Sequence, residues 1–349
     1  MKRIVKIGTV AVGGSNPVRI QGMLKSSAGN KKELLKEAAL LKKEGAEILR
    51  VAVKEEKDIH LGRLLRENYR IPVVADVHFN SKLALRAIDS GFDCVRINPL
   101  NITRKYDIKE IARAALKTGI PLRIGVNSGG FKKKFKSSQH LARQMVESCE
   151  ECIKILERGK FSDIMVSLKG SDVSTTIIAN RLFSKKHDYP IHLGVTATGT
   201  YFDGLIKSSI GIGSLLFDGV GDYIRVSLSA PSYLEIRAAK HILQSLGLRK
   251  FGPEIISCPT CSRCEVDLIG LVDNFKKKLD KERINTPMSI ALMGCVVNGP
   301  GEAYQADIGA AFGKKKAVIF KKDKILKRSD ENNIIDDLFA EINKMKRPS

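Results

Sequence analysis

The chain contains no tryptophan, and aromatic residues make up only 6% of its 349 positions. Platforms for single-stranded nucleic acid are built from aromatic side chains, so that partner is disfavoured. Acidic residues are also few: 38 Asp and Glu stand against 60 Lys and Arg, a formal net charge of +22. Such a surface attracts anions, whether phosphorylated substrates, acidic proteins, nucleic acid or membrane. With aromatics scarce, phosphate and acidic proteins are the favoured partners. Part of the charge is ordinary solubilisation, as in the amphipathic stretch NKKELLKEAALLKKEG and the loop-like FKKKFK at 131–136.

Long apolar runs are missing too. The opening MKRIVKIGTVAVGG is basic, but Lys6 and the glycines interrupt it, so neither a signal peptide nor a membrane span is expected. Seven cysteines without a secretory signal point to a reducing cytoplasm, where clustered thiols bind metals more often than they pair. There is also no glycine-rich phosphate loop after the first strand. VGGSNP precedes the first barrel-like strand instead, which argues against an open doubly wound sheet.

What is present is a rhythm. Strand candidates fall at 18–23, 47–53, 72–79, 94–99, 121–127, 164–170, 191–196 and 223–228, separated by amphipathic helical patterns that mostly end at glycine. Eight such units over about 230–250 residues predict a (β/α)8 TIM barrel. Within the strands, residues two apart share a face. Asp76 with His78, Arg96 with Asn98, Arg123 with Gly125 and Asn127, Ser167 with Lys169, His192 with Thr196, and Arg225 with Ser227 therefore line one side. In a barrel that side faces inward, at the mouth where active sites lie. Buried unpaired cations are costly, so their convergence predicts an anion-binding mouth.

After LQSLGLRKFGPE the rhythm changes. The expected organisation is a barrel over 1–248 and a small α+β domain over 249–349. The second domain carries ISCPTCSRCE, with Cys258, Cys261 and Cys264 at three-residue intervals, and later GCVVNGPGE with Cys295. Cys-x-x-Cys turns bring two thiolates to one metal centre. Spacing alone leaves two readings open: a structural four-cysteine zinc site in a basic nucleic-acid-binding module, or an iron–sulfur cluster. Cys149 and Cys152 form another Cys-x-x-Cys, but they lie on a helical pattern without a partner pair and are expected to be helix thiols. Cys94 is expected to pack within a strand.

ISCPTCSRCEVDLIG together with GCVVNGPGEA resembles the signature of the 4-hydroxy-3-methylbut-2-en-1-yl diphosphate synthase family (IspG/GcpE). ILRVAV, PVVADVHF, CVRINPLNI, PLRIGVNSG, VSLKGSDV, HLGVT, IKSSIGIG and GDYIRVSL resemble family blocks in family order. The resemblance implies the bacterial two-domain form, a TIM barrel plus an iron–sulfur domain, acting as a head-to-tail homodimer. It implies a 4Fe–4S cluster held by Cys258, Cys261, Cys295 and Glu302, the same four residues carrying catalysis. It also implies a cyclic diphosphate substrate, 2-C-methyl-D-erythritol 2,4-cyclodiphosphate, and reduction by an acidic flavodoxin or ferredoxin. Arg50, Arg96, Arg123 and Lys207 sit at matching positions, with Asp76, His78, Asn98, Asn127, Lys169 and Asn298 as further substrate contacts.

Three departures stand out. Cys264 replaces a common Gln and is a candidate to compete with Glu302 for the cluster. Ala197 stands where Glu is usual, and IQGMLKS lacks the usual Thr and Asn. A non-catalytic paralogue with a closed four-cysteine cluster is thus an alternative, beside the zinc-stabilised nucleic-acid-binding barrel.

Overall fold

The computed structural model describes residues 2–132, 134–196, 198–264, 266–295, 303–313, 316–322, 324–330 and 333–345. The chain divides into two compact units, with the break between Arg249 and Lys250.

The first unit opens with an antiparallel hairpin, β1 (Ile4–Ile7) and β2 (Val10–Gly13). Eight parallel strands follow: β3 (Arg19–Met23), β4 (Ile48–Ala52), β5 (Val73–Asp76), β6 (Cys94–Ile97), β7 (Leu122–Asn127), β8 (Ile164–Lys169), β9 (His192–Leu193) and β10 (Tyr223–Ile224). Their neighbour order is β8-β7-β6-β5-β4-β3-β10-β9, and a parallel bridge between Val166 and Ile191 joins the two ends of the row. The row is therefore a barrel. Outside it lie α1 (Lys31–Glu44), α2 (Leu61–Tyr69), α3 (Ser81–Asp89), α4 (Lys105–Thr118), α5 (Ser138–Arg158), α6 (Val173–Ser184), α7 (Tyr201–Phe217) and α8 (Ser232–Ser245).

Helix α1 shows how sequence sets these elements. The Asn30 side chain accepts the Glu33 amide and starts the helix, and Gly45 at φ +103° ends it in a left-handed turn. Leu34, Ala38 and Leu41 recur on one face and are buried. Each buried leucine contributes about 1.5–3 kcal/mol relative to exposure.

The hairpin closes the floor of the barrel. Val5, Ile7 and Val12 pack against Ile48, Val74, Cys94, Met165 and Tyr223 on the inner face near the strand starts. Its strands are four residues each, short enough that the sequence reading did not single them out. The last two barrel strands are shorter than the runs 191–196 and 223–228 suggest: only His192–Leu193 and Tyr223–Ile224 are extended ladder. Beyond them the Gly194 backbone presses on its neighbours. A Cβ there would stand 2.7 Å from both the Arg225 carbonyl oxygen and Lys169 Nζ.

The second unit is a five-stranded sheet of β11 (Pro253–Ser257), β12 (Met288–Met293), β13 (Ile308–Gly313), β14 (Lys316–Lys321) and β15 (Lys324–Asp330) in sequential order. The first three run parallel and the last two turn back antiparallel. Helices α9 (Leu268–Lys281) and α10 (Ile334–Met345) cover one face. Alternation decides which side chains they meet: Ile290 and Leu292 join Phe275, Leu338 and Phe339, whereas Ala291 and Met293 pack on the opposite face with Ala303, Ala306 and Phe320. The run KAVIFKKDKILK folds as a hairpin, with Lys322 at φ +54° in its turn. Among the described residues no helix is long and apolar enough to cross a membrane.

Candidate active site

Five cations converge inside the barrel. Arg96, Arg123 and Lys169 are almost wholly buried, and the side chains of Arg50 and Arg225 are nearly so. The strand period explains the convergence, since each occupies an inward position of β4, β6, β7 or β8, or the extension of β10. Facing them are two buried carboxylates. Asp76 takes Arg50 Nη2 at 3.2 Å on one oxygen and Arg96 Nη1 at 3.3 Å on the other. Glu235, on α8, takes Lys25 Nζ at 2.9 Å and lies 3.6 Å from Arg225 Nη2. Positive charge is therefore in excess at the centre.

Arg96 is the most heavily fixed of the five. Its Nη1 also approaches His78 Nε2 at 2.9 Å, and its Nη2 donates to the Gly125 carbonyl at 3.0 Å and to Asn127 Oδ1 at 3.5 Å. Arg123 is buried deeper. Its Nη1 donates to Gln21 Oε1 at 3.0 Å and meets His192 Nδ1 at 3.1 Å, and His192 stacks on Tyr223 with centroids 4.3 Å apart. Nε and Nη2 of Arg123, with Nε of Arg50 and Nε of Arg225, have no hydrogen-bond partner among the described residues.

Electrostatics follow from this crowding. Burial, opposed by Asp76 but reinforced by Arg123, Arg225 and Arg96, pushes Arg50 down to about 9. Lys169 is held well below the usual lysine range, first by burial and then by the four arginines. Burial and then Lys169 hold His192 well below its usual value, so its imidazole is neutral and can accept from Arg123. Burial alone would raise Asp76, but Arg50 and Arg96 outweigh it and keep the carboxyl well below the ordinary range. A buried cluster of net positive charge is suited to attract a compact anion.

The sequence-predicted residues are distributed as follows. Arg50, Asp76, His78, Arg96 and Asn127 form one contiguous polar network, and Asn98 is buried one inward step beyond Arg96 on the same strand course. Arg123 belongs to a deeper layer with Gln21 and His192. Lys207 is elsewhere, exposed on α7. Asn298 and Glu302 lie outside the described residues, as does Ala197. Sequence reasoning missed Gln21, Lys25 and Glu235. Glu235 left one signal: a carboxylate at a position of α8 that faces the core beside Ile236, Ala238 and Ala239.

In the second unit, Cys258 directly follows β11 and Cys295 follows β12. These strands are parallel neighbours with Ser257 opposite Leu292, so both cysteine loops emerge at one end of the sheet. Thr260, at φ +58°, reverses the chain between Cys258 and Cys261. All seven cysteines are free thiols; Cys261 is exposed, and Cys258, Cys264 and Cys295 are half-buried. The Gly294 amide donates to Cys258 Sγ at 3.3 Å. The Cys264 thiol donates to the Val266 carbonyl at 3.3 Å, and like Cys258 it packs against the apolar core. Among the described residues no three His, Cys, Asp or Glu side chains stand together as a metal-ligand group. Cys149 and Cys152 are buried on α5, where burial raises both thiols.

Comparison with known proteins identifies both units. Residues 2–240 match the GcpE TIM-barrel domain and residues 254–344 the GcpE protein C-terminal domain. The chain is 47% identical over 349 residues to the 4-hydroxy-3-methylbut-2-en-1-yl diphosphate synthase (flavodoxin) of Thermodesulfovibrio yellowstonii, covering 98% of each chain. It is 44% identical over 347 residues to that of Caldanaerobacter subterraneus subsp. tengcongensis, covering 99% of this chain and 97% of the relative. Among solved structures, dihydropteroate synthase from Stenotrophomonas maltophilia superposes with a TM-score of 0.53 at 12% identity, over 70% of this chain and 98% of that one. A type I 3-dehydroquinate dehydratase from Clostridium difficile gives 0.51 at 17%, over 70% and 98%. Identities this low speak to the barrel fold alone. The chain belongs to the GcpE family, the 4-hydroxy-3-methylbut-2-en-1-yl diphosphate synthases.

Proposed function

We propose that this chain catalyses reductive ring opening of 2-C-methyl-D-erythritol 2,4-cyclodiphosphate to 4-hydroxy-3-methylbut-2-enyl diphosphate. Two electrons and two protons enter, the ring C–O bond to phosphate breaks, and a hydroxyl leaves as water. The observation that carries the reading is the excess of buried cations over carboxylates inside the barrel.

The barrel residues bind and orient. Arg50 and Arg96 are held apart by Asp76 and present their remaining N–H groups to phosphate oxygens. His78, Asn98 and Asn127 flank Arg96, while Arg123 and Lys169 add charge from below and beside. The same reading adds Lys207, exposed on α7, and Asn298, outside the described residues. Low dielectric strengthens every one of these attractions relative to water.

The residues of the second unit fit an iron–sulfur cluster. Cys258, Cys261 and Cys295 are free thiols on two loops at one end of neighbouring strands, and Glu302 is the fourth ligand of this reading. Cys264, whose thiol donates to Val266 and lies against Gly294 between the two loops, is left out of the ligand set in this reading. When bound, a 4Fe–4S cluster with one carboxylate-held iron supplies single electrons and a Lewis-acidic position. The same reading assigns reduction to an acidic flavodoxin or ferredoxin, matched by the charge of +22, and places the enzyme in the cytoplasm as a head-to-tail homodimer. The test is turnover of the cyclodiphosphate by anaerobically purified protein with a chemical reductant. No turnover by protein carrying a full complement of iron would overturn the activity.

A further inference from the structure

The last barrel strand stops early. Only Tyr223 and Ile224 belong to the ladder of β10, and one further bond, from the Arg225 amide to the Leu193 carbonyl at 3.0 Å, follows them. Side chains from two other elements hold the loop beyond. Glu235, on α8, accepts the Leu228 amide on Oε1 at 2.9 Å. Lys25, in the loop after β3, donates from Nζ to the Leu228 carbonyl at 2.8 Å and to the Ala230 carbonyl at 2.6 Å. Lys25 is itself pinned, for its amide and that of Ser26 donate to Glu37 on α1, which also accepts the Ser232 hydroxyl.

Lys25 Nζ has one more contact, Glu235 Oε1 at 2.9 Å. An ammonium carries three donors, and the two carbonyls and this carboxylate take all of them. Lys25 therefore has no N–H left for a phosphate. Glu235, only 2% exposed, has an oxygen to spare. Its Oε2 has no hydrogen-bond partner among the described residues and lies 3.6 Å from Arg225 Nη2, too far for a hydrogen bond. Arg225 is likewise only partly used: Nη1 donates to Ser227 Oγ at 2.7 Å, and Nε has no partner among the described residues. Arg50 and Lys169 are close enough to repel it. A guanidinium pressed by like charges beside a buried carboxylate would ordinarily close on it in a two-pronged pair.

We propose that Lys25 is a positioning residue: by satisfying Glu235 it keeps Arg225 from closing on that carboxylate and leaves its remaining N–H groups to the phosphate oxygens of the substrate. The proposal rests on the substrate reading given under "Proposed function". Without Lys25 the carboxylate loses its ammonium partner. An uncompensated buried charge is costly, so Arg225 moves the missing distance and takes its place. The mouth then keeps all its arginines and loses the use of one.

Isothermal titration of inorganic pyrophosphate into the anaerobically purified holoenzyme tests it. Lys25→Met should weaken binding about tenfold or more, the worth of one hydrogen bond to a charged group. Lys25→Arg, which keeps the charge and has donors enough for the same acceptors, should stay within about threefold of wild type. The decisive variant is Lys25→Met/Glu235→Gln. Glutamine keeps an oxygen for the Leu228 amide but not the charge that captures Arg225, so binding should return to within about threefold of wild type. A merely structural clasp predicts a double variant no better than Lys25→Met. Lys25→Met that binds like wild type, Lys25→Arg or the double variant as weak as Lys25→Met, or wild type that binds no pyrophosphate, overturns the proposal. Should Lys25→Met fail to fold, Glu235→Gln alone decides: with the competing carboxylate gone it should bind at least as tightly as wild type, and weaker binding overturns the proposal. A holoenzyme that shows this order with pyrophosphate but does not turn over the cyclodiphosphate overturns the activity and leaves this inference standing.

Discussion

Arg96 lies across Gly125. Its Nη2 donates to the Gly125 carbonyl at 3.0 Å, and a Cβ on Gly125 would collide with the guanidinium, standing 2.9 Å from Nη2 and still nearer Nε. The same Cβ would be 2.9 Å from Ser167 Oγ. Gly125 is therefore the gap through which one cation reaches the centre of the barrel.

Gly125→Ala should push Arg96 out of its network while leaving the fold intact. A displacement of about 1 Å at a positioned group costs roughly 100-fold in turnover. We expect kcat/KM for the cyclodiphosphate to fall by about that factor, with a small change in melting temperature. Unchanged steady-state kinetics would show that Arg96 does not contact substrate.

Lys169 is a cation held where cations are unwelcome, pressed by burial and four arginines. Its depressed value means the folded state disfavours its charge. That penalty is fully present below the depressed value and is relieved as pH rises through it towards the unfolded one. Lys169→Met should therefore stabilise the protein by about 1–4 kcal/mol at pH 7, as replacement of buried charge often does. It should also remove most diphosphate affinity. Thermal denaturation and pyrophosphate titration together check both signs. A lower melting temperature would contradict the account.

Asp76 has the reverse sign. Arg50 and Arg96 hold it well below the ordinary carboxylate range. Its contribution is present above the unfolded value of about 4 and is lost as pH falls through the folded one. Asp76→Asn leaves two buried arginines without their shared partner and should cost about 3–5 kcal/mol at pH 7. The deficit relative to wild type should shrink in acid. A pH series of denaturant melts measures it.

The two thiols Cys258 and Cys264 should behave differently. Cys258 accepts an amide hydrogen from Gly294, whereas the Cys264 thiol donates to the Val266 carbonyl. Cys258→Ser should abolish the iron–sulfur absorbance, and Cys264→Ala should retain both absorbance and turnover. Loss of the cluster in Cys264→Ala would instead favour the closed four-cysteine alternative.

In a head-to-tail dimer each active site draws on two chains. Mixing a barrel variant, Arg96→Met, with a cluster-loop variant, Cys258→Ser, should then restore activity that neither has alone. With random exchange, half the dimers are mixed and each has one intact site, so recovery approaches about a quarter of wild type. No recovery after exchange demonstrated by tagged subunits would place each site within one chain.

The barrel was legible in the sequence because strand period and helix caps are local signals, and Arg96 with Asn98 or Ser167 with Lys169 could be placed on one face by counting residues. Depth was not legible. Arg50 and Arg123 look alike as strand arginines, yet one meets Asp76 while the other lies beneath it with Gln21 and His192, because depth depends on barrel stagger. Glu235 and Lys25 were hidden for another reason: they enter from α8 and from the loop after β3, outside the alternation that revealed the rest. The floor hairpin escaped notice because four-residue strands carry too little pattern.

The most direct test is anaerobic purification followed by an absorption spectrum near about 400 nm and a turnover assay with the cyclodiphosphate and a chemical reductant. The account predicts brown protein with four irons per chain and formation of the linear allylic diphosphate. Colourless protein holding stoichiometric zinc, or brown protein that leaves the cyclodiphosphate untouched, would contradict it.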